Sequence, residues 1–253
     1  MAKTFLQAEW KKLAMANYKV DPKLLLPFLP LKTELDFWKN TCYVSLVGFM
    51  FQDTKIKGFK IPFHTDFEEV NLRFYVRFKD NDKWKRGVVF IKEIVPKHAL
   101  TFVANTVYGE NYETMPMAHN WTIDSDKQVI EYKWRKKTKW HSIKVQTGLD
   151  LLEIDEGSEE EFITEHYWGY TKINNSKTSE YGVEHPKWYV YKTVDYNIDV
   201  SFGDIYGQTF SFLDNVNPTS VFLAEGSLIE VKDGKTKTVH NSGLAKVAVQ
   251  CFV

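Results

Sequence analysis

From Glu69 to Phe78 the chain alternates without a break. Val70, Leu72, Phe74, Val76 and Phe78 are apolar, whereas Glu69, Asn71, Arg73, Tyr75 and Arg77 are polar or amphipathic. Successive side chains on a strand point to opposite faces, so this spacing predicts a strand with one greasy face and one charged face. Residues 42–51 differ: Tyr43, Val47 and Phe49 oppose Val44, Leu46 and Met50, a run apolar on both faces that predicts a strand buried on both sides. Further strands are expected over 87–95, 128–135, 139–147, 188–194, 220–231 and 244–253.

Helical signals are fewer. One covers 9–17. A second, over 22–28, starts on Pro22, where a missing amide donor does no harm, and stops at Pro27 and Pro30. Pro96 opens a third through about residue 107. A fourth begins at Ser158 with Glu161 three residues on, a capping-box spacing, and a fifth over 202–213 is weakened by Gly203 and Gly207. Many strands and few short helices give an α+β, mainly-β domain, and closure into a barrel would remove exposed sheet edges. The acidic run 153–161 passes directly into structured sequence, so the whole chain, 1–253, is expected to form a single domain.

Composition narrows the function classes. The 33 basic and 33 acidic side chains cancel, so nothing points to a nucleic-acid partner, which needs a one-sided basic surface. No stretch of about 18 apolar residues is present for crossing a membrane, and Met1 to Trp10 carries no signal-peptide pattern. A cytoplasmic location is expected, with Cys42 and Cys251 as buried free thiols. The seven histidines show no zinc-site spacing, and no phosphate-binding glycine loop or serine elbow appears. No metal and no cofactor are expected. The basic run Trp134 to Lys139 reads as a solvated hairpin turn.

Candidate chemistry centres on the charged face of the 69–78 strand. Two of only four arginines lie on it. Arg73 could hold a carboxylate or enolate in bidentate fashion, with Glu69 pairing with it or handling protons and Asn71 between them. The competing reading is a solvated outer face, common in antiparallel sheets. Arg77, further along, is assigned to the surface.

Several strings resemble the YqjF-like family, domain of unknown function 2071. They are Tyr18-Lys-Val-Asp-Pro22, Leu29-Pro30, Tyr43-Val-Ser-Leu-Val-Gly-Phe49, Glu69-Val-Asn-Leu-Arg73 with Tyr75-Val76, Arg86-Gly-Val-Val-Phe90, Glu165-His-Tyr-Trp-Gly-Tyr170 and Val183-Glu-His-Pro-Lys-Trp188. They run in family order from residue 10 to about 190. That family is similar to acetoacetate decarboxylase, which implies a conical, double-walled β-barrel around a small-molecule cavity. The decarboxylase acts through a lysine of lowered pKa that forms a Schiff base. By position, Tyr112 falls where that lysine would stand and Asn111 where a preceding proline would. A phenol cannot form an imine. A pocket glutamate of the decarboxylase is similar in position to Glu69 or Glu68, and Glu69 is favoured because it shares a face with Arg73. His166 and His185 sit within family-like strings, and His166 is taken as a ligand-binding candidate. Lys92 and Lys97 show no feature that would lower their pKa and make them substitutes.

The leading expectation is a protein that binds a small anionic or carbonyl-containing metabolite in an interior pocket, through Arg73, Asn71 and His166. A non-covalent lyase or isomerase acting on a keto acid, with Glu69 and Tyr112 catalytic, is the alternative. A scaffold whose cavity is filled by its own side chains is a third. Self-association is left open.

Overall fold

A computed structural model describes residues 3–238 of the chain. The strand expected over 244–253, and Cys251, lie outside these residues. The chain opens on β1 (Thr4–Lys19), so the helix expected over 9–17 is the middle of a strand. Its Ala, Leu, Met and Lys residues favour a helix in isolation, but pairing on both sides overrides that preference. Met15 lies between Val47 and Phe222, and Ala14 between Gly48 and Leu223. A bulge between Lys11 and Ala14, with Lys12 at φ 51°, breaks the two-residue period and hides the strand.

Helix α1 (Pro22–Leu25) is capped by the Asp21 side chain, which accepts from the Lys23 amide, and continues as a tight turn through Phe28. Strands β2 (Thr33–Leu35), β3 (Tyr43–Ile56), β4 (Phe59–Lys60), β5 (Phe67–Asp80) and β6 (Lys83–Val95) follow. Helix α2 (His98–Val103) widens through residue 108 and ends at Gly109. Next come β7 (Tyr112–Thr114), β8 (Met117–Ile123), β9 (Gln128–Lys136) and β10 (Lys139–Glu153). Ser158 caps α3 (Glu159–Thr164) as its spacing predicts, its side chain accepting from the Glu161 amide. Then β11 (Trp168–Asn174), β12 (Lys177–Glu184) and β13 (Tyr189–Asp199) lead to α4 (Phe202–Tyr206), which Gly207 separates from a tight-turned segment to Asn215. Strands β14 (Ser220–Lys232) and β15 (Lys235–Thr238) complete the described chain.

Strands β12, β11, β6, β5, β3, β1 and β14 are neighbours in that order, and β12 also pairs with β14, completing a ring of seven. From β14 a second run continues through β13, β10, β9 and β8. Strand β14 serves both: Leu223 and Ala224 pair with β13, Glu230 and Val231 with β12. Two hydrophobic clusters follow from this arrangement. Val70, Leu72, Phe74 and Val76 of β5 pack with Ile130, Tyr132, Trp134, Ile143 and Val145 of the second run. Tyr75 shares the other cluster with Val47, Phe49, Val88 and Ile163. The greasy face of β5 is thus glued to an outer layer, and its charged face points into the ring. Cys42 is buried, and burial pushes its thiol up to about 12. Among the described residues no helix is long and apolar enough to cross a membrane.

Candidate functional site

The ring encloses a cavity of about 650 Å³ whose wall includes Glu69, Asn71, Arg73, Glu93, Tyr112 and His166. The alternation of β5 puts the first three on one inward face. Glu93 arrives there by a different route. Opposite β5, Leu72 pairs with Lys92 and Arg73 with Phe90, which leaves Ile91 without a partner on that side. This bulge shifts β6 by one residue: Val88 and Phe90 line the cavity before it, Glu93 after it. Asn111 holds the bulge from the other side, its side-chain amide donating to the Ile91 carbonyl and its own carbonyl accepting from the Glu93 amide. The parallel pairing of Glu93 with Tyr112 then sets the phenol beside the carboxyls.

Glu69 is buried and accepts from Asn71 Nδ2 at 2.9 Å and from the Tyr112 hydroxyl at 3.2 Å. Burial raises its carboxyl to about 7, against the pull of those two hydrogen bonds and of Arg73. Glu110, whose Oε1 accepts from Thr171 Oγ1 at 2.7 Å, is likewise pushed up to about 7 by burial. Glu93 is raised well above the carboxylate range by burial and by its Glu110 and Glu69 neighbours. Burial and the same carboxyls also raise the phenols of Tyr112 and Tyr181. Each carboxyl of the cluster therefore keeps its proton to a higher pH than a free glutamate does.

Arg73 is only 7% exposed and forms no ion pair among the described residues. Its guanidinium reaches the Ile163 carbonyl at 3.4 Å and lies 5.7 Å from the Tyr75 ring centre, while its Nε has no partner among the described residues. Of the two roles expected for Glu69, pairing with Arg73 or handling protons, the pairing is not made: Glu69 is taken up by Asn71 and Tyr112.

His166 is buried against Tyr75 and Phe162, at ring distances of 4.8 and 5.2 Å. Its Nε2 lies 3.2 Å from Asp36 Oδ2, which also accepts from Arg86 Nε at 2.7 Å. Burial pushes His166 down to about 4 despite that carboxylate. Burial also acts to raise Asp36, but hydrogen bonds from His166 and Arg86 outweigh it and leave the acid at about 2. A neutral imidazole beside an ionised carboxylate carries its proton on Nε2. Nδ1 is then a bare acceptor, and it has no partner among the described residues.

Buried polar atoms are nearly always paired. Here Asn71 Oδ1, Arg73 Nε, Glu93 Oε2 and His166 Nδ1 all lack a partner among the described residues and all belong to residues lining one cavity. The cavity is open rather than filled by its own side chains. The five sequence candidates, Glu69, Asn71, Arg73, Tyr112 and His166, converge on it. Glu68 faces elsewhere, 2.7 Å from His119. Arg77 stands at the surface near Glu34 and over Trp84. Lys92 is engaged by Glu113 and the Ile205 carbonyl, each at 2.6 Å. Sequence reasoning missed Glu93, Glu110, Thr171, Tyr181 and Asp36. Among the described residues no cluster of His, Cys, Asp and Glu is arranged to hold a metal ion.

The DUF2071 family, described as an uncharacterized conserved protein, matches residues 7–228. A curated relative, the uncharacterized protein YqjF of Bacillus subtilis, is 24% identical over 184 residues, covering 72% of this chain and 74% of its own. Among solved structures, acetoacetate decarboxylase from Legionella pneumophila superposes with a TM-score of 0.62 at 12% identity, over 92% of this chain and 87% of that one. The enduracididine biosynthesis enzyme MppR complexed with pyruvate gives 0.62 at 12% identity, over 93% and 91%. These likenesses establish a shared fold.

Proposed function

Because the chain belongs to the DUF2071 family and its ring cavity carries an unpaired buried cation, we propose that it binds a small anionic or carbonyl-containing metabolite there, with Arg73 as anchor and without an imine intermediate. Arg73 carries the reading. A buried charge with no counter-ion costs several kcal/mol, and a carboxylate ligand would offset that cost through bidentate hydrogen bonds. The neighbouring carboxyls, pushed toward neutrality, would not repel such a ligand as ionised ones do. Asn71 Oδ1 and His166 Nδ1 would accept from a hydroxyl or enol on it. A fold neighbour complexed with pyruvate supports a keto acid as the ligand class. Tyr112 at the position that resemblance gives to the lysine, and Lys92 held by Glu113, support non-covalent binding.

Calorimetric titration with pyruvate tests this. Binding by the parent and its loss in Arg73→Ala are expected, and incubation with pyruvate and borohydride should leave the protein's mass unchanged. Equal affinity in parent and variant would remove the anchor, and a reduced adduct would restore imine chemistry.

A second reading rests on one observation, a glutamate at about 7 hydrogen-bonded to a phenol. Glu69 could then move a proton at a carbon next to a carbonyl, with Tyr112 donating to the developing oxyanion. Glu69→Gln should bind the keto acid normally but abolish deuterium exchange at that carbon. Unchanged exchange would leave binding alone.

A further inference from the structure

The cavity is much larger, and much greasier, than a three-carbon acid needs. At about 650 Å³ it falls within the range that encloses drug-sized ligands. Trp10, Phe49, Phe51, Phe67, Phe90 and Trp188 line it. Much of that wall is already packed: Trp10 meets Phe49, Phe51 and Trp188 edge to face at 5.2, 5.8 and 6.2 Å, and Phe51 stacks on Phe67 at 4.7 Å. Such a wall is not free to collapse onto a small ligand. A compact polar acid on Arg73 would leave most of the aromatic surface facing water, the arrangement that hydrophobic burial disfavours.

The apolar character continues to the surface. Ile61 and Val103 line the same cavity and are each 42% exposed, so the cavity meets solvent beside them. Phe59 and Phe63, on the segment that carries Ile61, are 74% and 89% exposed, and Phe102 beside Val103 is exposed as well. Asn71 and Arg73 on β5, Glu93 on β6 and His166 carry unpartnered polar atoms on this wall, and among the described residues Trp10 Nε1 and Thr54 Oγ1 add two more on β1 and β3.

Resting on the anion-binding reading above, we infer that the ligand is an amphipathic carboxylic acid. Its carboxylate sits on Arg73, and a flexible or aromatic apolar body of several carbons runs along the ring wall toward Ile61 and Val103. Arg73 sets the charge of the ligand, and the aromatic wall sets its length.

Titration of the full chain with acetate, butyrate, hexanoate, octanoate, 3-phenylpropanoate and methyl octanoate, followed by tryptophan fluorescence, tests this. Affinity should rise with each added methylene, by up to about fourfold. Methyl octanoate should bind at least tenfold more weakly than octanoate. Ile61→Glu, at a position 42% exposed, should weaken octanoate far more than acetate. An Arg73-dependent but flat series overturns the amphipathic ligand and leaves anion binding standing. A rising series that ignores both esterification and Arg73→Ala overturns the carboxylate anchor, and with it the present inference.

Discussion

Glu69 and Arg73 stand four residues apart on the inward face of β5, yet the carboxyl bonds to Asn71 and Tyr112 and the guanidinium is left without an ion pair among the described residues. A protein selected only for stability has little reason to keep a cation buried in this way. Arg73→Met should raise stability by about 1–2 kcal/mol in urea unfolding, because the desolvation cost disappears while the packing volume stays. The same variant should lose at least tenfold in affinity for carboxylate ligands. A fall in stability would show that Arg73 is a structural residue rather than a binding one.

The carboxyl cluster sets a pH dependence with a definite sign. Burial pushes Glu69 and Glu110 up to about 7 and raises Glu93 as well, all above the ordinary glutamate value. Between the unfolded and folded values the folded chain binds more protons, so the stability these groups confer is full below the unfolded value and lost as pH rises through the folded one. His166, lowered to about 4, acts oppositely: its contribution is full above its unfolded value and lost as pH falls through 4. Comparison of the parent with Glu93→Gln cancels the His166 contribution. As pH rises above about 5 the parent should lose stability relative to the variant, by up to roughly 1 kcal/mol per pH unit, until Glu93 has ionised in the folded chain. Parallel curves would show that Glu93 titrates as an ordinary carboxyl.

The legible part of this site was the part written on an unbroken strand. Alternation on β5 separates an apolar row from a charged one, so spacing put Glu69, Asn71 and Arg73 on one face, and family resemblance favoured a pocket over solvent for that face. Glu93 could not be placed in this way, because the bulge at Ile91 shifts its strand by one residue and no local pattern marks it. The bulge near Lys12 likewise concealed β1 behind helix-favouring residues. Tyr181 and Thr171 lie on β12 and β11, where polar residues interrupt the period. Tyr112 and His166 were found through family resemblance, since their place in the cavity depends on pairing with distant strands.

Tyr112 donates to Glu69 and thereby favours the ionised carboxyl. Tyr112→Phe keeps the ring and removes the donor, so the Glu69 carboxyl should rise from about 7 by roughly one pH unit, as expected for a hydrogen bond to a charged group. Carbon NMR titration of labelled glutamate reads the change directly. If the second functional reading holds, the pH profile of proton exchange should move upward with it. An unmoved Glu69 would mean that the phenol bonds elsewhere in solution.

Gly226 stands on β14 between the residues that pair with β13 and those that pair with β12. Its φ is +83°, and an added Cβ would lie 2.0 Å from the Trp10 carbonyl oxygen. Gly58 has nearly the same φ, +84°, but nothing within 4 Å of the added atom. The two glycines therefore separate backbone strain from close approach. Gly58→Ala should cost about 1 kcal/mol, the penalty for a left-handed conformation. Gly226→Ala should cost about 3 kcal/mol or more, because either β1 or β14 must move. That movement would shift Trp10, which lines the cavity, so ligand affinity should fall with stability in Gly226→Ala and stay unchanged in Gly58→Ala. Equal costs at the two positions would mean that β14 adjusts freely, and the division of the two layers there would not depend on glycine.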